Sequence, residues 1–128
     1  MILIAFIGFF FLAISLIFIF SPKKKILSEE KRKFFIKNFG EIKKITDPKT
    51  KIIDYDKLYH NILKQIGYTG TFGDILKEKP KEITNLNKIW ELHKLRNKLV
   101  HDFDKQKSLD KMAIEYENEI KKLFSIMR

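Results

Sequence analysis

Asn85-Leu86-Asn87-Lys88-Ile89-Trp90-Glu91-Leu92-His93-Lys94-Leu95-Arg96-Asn97-Lys98-Leu99-Val100-His101 is the stretch whose reading decides the fold. Apolar residues return in it every three or four positions, which predicts an amphipathic helix from near Thr84 or Asn85 to about Asp102. On a wheel turning about 100° per residue, Ile89, Leu92, Leu95, Leu99 and Val100 share an arc expected to face a core. Glu91, Lys94, Lys98 and Asp102 point the other way, to solvent. Between the two faces runs a strip of Trp90, His93, Asn97 and His101. Arg96 falls inside the apolar arc, where an unpaired guanidinium is costly, so the sequence demands a partner for it. It is one of only three arginines against 23 lysines, a choice that suits planar, multidentate hydrogen bonding.

Downstream, Leu109, Met112, Ala113, Tyr116, Ile120, Leu123, Phe124 and Met127 form a sustained helical stripe, with Ser108 expected as its N-cap. Upstream, Gly67-Tyr68-Thr69-Gly70-Thr71-Phe72-Gly73 lacks the lysine and the strand of a phosphate-binding loop and reads as a tight connection in left-handed backbone. A short helix from about Phe72 to Lys79 should follow it, stopped by Pro80. Asp47-Pro48-Lys49-Thr50 reads as a turn, after which Tyr55, Leu58, Tyr59, Ile62 and Ile66 mark a helix capped by Asp54 and ended by Gly67. His60 lies off that stripe, as a surface residue would. Leu27, Phe34, Phe35, Phe39, Ile42 and Ile45 predict a further amphipathic helix over about 28–45, with Ser28 as N-cap, placed either on the bundle or along a lipid surface. No segment alternates as a strand does. The expected fold is all-α: a small up-and-down bundle with short connections.

The first twenty residues carry no charge, and as a helix they would span roughly 30 Å, the thickness of the hydrocarbon layer. A cleaved secretory signal is disfavoured, because the basic start, the short apolar run and the small-residue cleavage pattern are missing. The expected organisation is therefore a transmembrane anchor at 1–21, a basic juxtamembrane helix and linker at 22–50, and the bundle at 51–128. Between residues 23 and 46, nine basic side chains stand against three acidic ones. Such a cluster beside a span is held inside, which predicts a single-pass protein with its N-terminus outside and its C-terminal domain cytoplasmic. Lys23, Lys24, Lys25, Lys31, Arg32 and Lys33 are the candidate contacts to anionic lipid.

The formal net charge of +10 does not itself point to nucleic acid, since the lysines are scattered among sixteen acidic residues and form no stripe. The absence of cysteine excludes disulfides and thiolate chemistry. His60, His93 and His101 have no metal-ligand spacing, so no cofactor or metal is expected.

The run Arg96-Asn97-Lys98-Leu99-Val100-His101, followed by a turn and a final amphipathic helix, resembles the HEPN superfamily of small helical bundles. Its pattern of arginine, a polar residue, a short spacer and histidine matches Arg96, Asn97 and His101. The stretch 85–97 looks like small, membrane-anchored bacterial HEPN-like proteins with no assigned function, and the likeness covers roughly residues 50–127. The resemblance implies metal-independent cleavage of single-stranded RNA at a site built across a two-fold homodimer. In such a site His101 would move the proton of a ribose hydroxyl, Arg96 would stabilise charge on the phosphoryl oxygens and Asn97 would orient one of them, with His93 able to assist. The wheel separates Arg96 from His101 on one helix, and a second subunit would bring the two together. The alternative is a non-catalytic, membrane-tethered module, engaged with itself or a protein partner, in which the motif is structural.

Overall fold

A computed structural model describes residues 2–20, 26–101 and 108–127, the side chains of 17–20 excepted. Lys23, Lys24, Lys25 and the expected helix end at Asp102 lie outside the described residues. Six helices and no strand occur among the described residues: α1 (Ile2–Phe20), α2 (Glu29–Lys43), α3 (Pro48–Gln65), α4 (Phe72–Lys77), α5 (Leu86–His101) and α6 (Leu109–Ile126). The fold is an all-α bundle.

The centre of the bundle is α3, which packs against α2, α5 and α6. Its start corrects the sequence reading. Asp47-Pro48 is no separate turn: Asp47 is the N-cap, its Oδ2 accepting from the Thr50 N–H at 3.0 Å, and Pro48 is the first helical residue. Proline is well suited there, because its missing N–H would have no helical acceptor. Asp54 is thus an interior residue of α3 rather than its cap.

Ser28 caps α2, its Oγ accepting from the Lys31 N–H. The inner side of α2 settles whether this helix joins the bundle, since Leu27, Phe35 and Phe39 belong to the same core as Ile52, Leu63 and Leu123. Phe39 lies against both Tyr55 and Phe124. Residue 31 meets Gln65, and residue 39 meets Tyr55, so α2 and α3 run antiparallel. The pairs Phe39 with Phe124 and Lys43 with Glu117 make α6 antiparallel to α2 as well.

Gly67 and Gly70 have φ of +117° and +102°, the left-handed backbone expected of this connection. Thr71 and Asp74 then form a reciprocal capping box at the start of α4. Asn85 opens α5, its Oδ1 accepting from the Lys88 N–H at 3.1 Å. Ile89, Leu92 and Leu99 face the core as read, but Val100 is exposed, because it sits at the edge of the arc in the last turn. Ser108 precedes α6 in left-handed backbone and makes no side-chain cap, although its carbonyl accepts from Met112.

The large apolar side chains of α1 from Ile2 to Leu16 are exposed to some degree on every side of the helix. Among the described residues no helix is long and apolar enough to cross a membrane, so the transmembrane span expected at 1–21 is not part of the fold shown.

Candidate functional site

The polar strip of α5 meets α3 at Asp56. This carboxylate is buried, with its side chain 5% exposed, and sits on the apolar stripe of α3 beside Ile52, Tyr55 and Tyr59. Three groups converge on it. The Tyr116 hydroxyl of α6 donates to Oδ1 at 2.8 Å. His93 Nδ1 lies 3.1 and 3.2 Å from the two carboxylate oxygens. Arg96 Nε stands 3.7 Å from Oδ2, close enough for an ion pair but too far for a hydrogen bond, which leaves that buried N–H without a hydrogen-bond partner among the described residues.

The remaining polar groups order themselves by their chemistry. Arg96 Nη1 donates to Asn97 Oδ1 at 3.0 Å. With its oxygen so engaged, the Asn97 amide presents Nδ2 to His93 Nε2 at 3.4 Å, which makes Nε2 the acceptor and Nδ1 the protonated nitrogen. Donation therefore runs one way, from Arg96 through Asn97 and His93 to Asp56, with Tyr116 donating from the other side. The His93 ring also packs edge-on against Phe72 of α4, 4.7 Å between centroids, and Phe72 lies against Tyr59 and His60. Rings thus close the network on its buried side. His60, expected at the surface, is half-buried there, its Nε2 3.0 Å from the Gly70 carbonyl.

Burial is the main reason that the Tyr116 hydroxyl titrates well above its usual 10, followed by the Asp56 charge, with Arg96 opposing. Beside this network, Glu117 is held below its usual value, first by the hydrogen bond from Lys121 and then by Lys43. Tyr68, which donates to the buried Glu82 at 2.6 Å, is pushed up to about 12, again chiefly by burial.

Of the residues singled out from the sequence, the structure brings together His93, Arg96 and Asn97. It does not bring His101 to them. His101 is exposed in the last turn of α5, and among the described residues no hydrogen bond or ion pair joins it to the other three. A shallow depression lined by Asn87, Trp90, Glu91 and Lys94 runs along earlier turns of α5 and takes in none of Arg96, Asn97 and His101. Of the lysine and arginine candidates for lipid contact, Lys31 is exposed and donates to Gln65 Oε1 at 2.6 Å, and Lys33 is exposed near Glu29. Arg32 is half-buried instead, with a buried Nε that has no hydrogen-bond partner among the described residues. Among the described residues no group of three histidine, aspartate or glutamate side chains is placed to hold a metal ion.

Asp56 and Tyr116 were missed as members of the site. The signal for Asp56 was present: it is the one carboxylate on the apolar stripe of α3, and a buried charge needs partners. Tyr116 gave no signal distinct from its neighbours on the α6 stripe.

No family model, curated protein or solved structure matches this chain.

Proposed function

We propose that this protein is a membrane-tethered, HEPN-like helical module that works by binding or self-association rather than by cleaving RNA. The observation that carries this reading is the closed donor chain from Arg96 to Asp56. The guanidinium that a phosphate would need is engaged by Asn97 and Asp56, and the His93 lone pair that a general base would need accepts from Asn97. His101 stands apart from both. The tether is supported by the charge-free sequence of residues 1–20 and by the exposure of the large apolar side chains of α1 from Ile2 to Leu16, a pattern of helices that lie in lipid or in a large core. The basic residues at 23–46 favour a cytoplasmic domain.

One observation favours the second reading, a metal-independent endoribonuclease acting through Arg96, Asn97 and His101 across a homodimer. Asn97 and His101 are exposed, and the Arg96 side chain remains 35% exposed, so a second copy could reach all three. The test is incubation of the full-length protein with single-stranded RNA in EDTA. The proposal expects intact RNA with both wild type and His101→Ala. Cleavage to cyclic phosphate ends that is lost in a folded His101→Ala protein would establish the nuclease.

A further inference from the structure

The alternation of the helices gives the bundle two ends. One end holds Ile26, the start of α2 and the end of α3, tied by the Lys31 bond to Gln65, and α6, antiparallel to α2, runs towards it. The other holds the corner between α2 and α3 and the start of α6, where Thr46, Pro48, Lys51, Asp110 and Ala113 line one cleft. His101 belongs to that second end, seven positions before Ser108.

Exposed apolar side chains occur at both ends. Ile26 is 80% exposed, Phe34 59% and Ile126 42%, while Val100 and Ile114 are exposed towards the opposite end. Chain length distinguishes them. Six residue steps separate Phe20 from Ile26, a reach of at most about 20 Å. The fifteen residues of α2 put the opposite end roughly 22 Å farther along the helix axis. Exposed Lys31, Lys33 and Lys64 accompany the near end beside exposed Glu29 and Glu30, and these lysines would meet anionic headgroups.

We propose that the end bearing Ile26, Phe34 and Ile126 rests on an anionic bilayer surface, which turns His101 and the α2–α3 corner away from the membrane. This rests on the membrane reading above and adds to it an orientation. Ile26 and Phe34 enter the headgroup layer and the lysines hold the bundle there, so α1 is an anchor for a domain with a fixed outward face. A partner or second copy therefore meets the α5 C-terminal turn without displacing lipid.

The natural absence of cysteine allows single-cysteine labelling of the full chain. Ile26→Cys, Phe34→Cys and Ile126→Cys, with Thr46→Cys and Asp110→Cys from the opposite end, are labelled with an environment-sensitive fluorophore. Each is reconstituted in phosphatidylglycerol-containing vesicles with a doxyl-lipid quencher, and flotation reports attachment. The expected result is flotation of every variant, with several-fold stronger quenching at 26, 34 and 126 than at 46 and 110. Flotation with equal quenching at both ends, or with none at 26 and 34, overturns the orientation while leaving the anchor intact. Failure to float overturns the membrane reading and the orientation with it. Quenching at 34 and 126 that is unchanged in purely zwitterionic vesicles overturns the role given to the lysines.

Discussion

Helices α1 and α5 are similar in length, nineteen and sixteen residues, yet they meet opposite fates. One side of α5 is apolar and enters the core, and its polar strip finds in Asp56 a buried carboxylate that hydrogen-bonds His93 and, from α6, Tyr116, and ion-pairs with Arg96. Its two unlike faces define one way to pack. α1 has no polar strip to orient it, and none of its described side chains belongs to the bundle's core. The comparison teaches that contrast between faces, more than apolar content, decides whether a helix joins a given core.

The sharpest way to break this comparison is alkaline titration, because all four tyrosines lie in the bundle and none in α1. Burial raises every one of them, Tyr68 to about 12 and Tyr55, Tyr59 and Tyr116 further. A folded-state pKa above the unfolded value of 10 means that this stability is fully present below pH 10 and is lost as pH rises through the folded values. Phenolate absorbance should therefore rise together with loss of bundle structure, and on the proposed tether the helical signal of α1 in vesicles persists. Free titration near pH 10 in a still-folded protein would contradict the burial described.

Asp56→Ala comes next. It strands Tyr116, His93 and Arg96 together, and removal of one member of a buried ion pair costs about 3–5 kcal/mol, to be read from urea unfolding at pH 7. A smaller loss, about 2 kcal/mol as for a hydrogen bond to a charged group, is expected for Tyr116→Phe. If the two variants are equally stable, Asp56 does not organise the strip.

Glu117→Gln should cost below about 1 kcal/mol, since its lysine partners are half in solvent. Its carboxyl is depressed in the fold, so its contribution is present above the usual value of 4.5 and is lost as pH falls through the lower folded value. The variant's stability should accordingly fall less than wild type's on acidification. The smallest effect is expected on removing residues 1–20: the midpoint of bundle unfolding should not move, while vesicle flotation disappears. A lowered midpoint would show that α1 packs on the bundle after all.

Much of this architecture was legible in the residues, because helical periodicity and caps are local. The stripes of α2, α5 and α6, the Ser28 cap and the left-handed glycines at 67 and 70 all follow from neighbours within a few positions. Asp47-Pro48 was misread because the same pair that favours a turn also starts a helix, and only the residues after it distinguish the two. The candidate site was half legible. The sequence required a partner for Arg96, and the structure supplies it from 40 positions away in the same chain, so a second subunit is not needed to neutralise that charge.

By itself the sequence determined that this chain is helical, that its first twenty residues carry no charge and that Arg96 could not stay alone in an apolar arc. Only the tertiary structure decided that Asp56 receives Arg96 and His93, that α2 packs on α3, and that His101 is left at the exposed end of α5. Periodicity records which face a helix buries, whereas the choice of a polar partner depends on which side chains the packing of distant segments brings within hydrogen-bonding range.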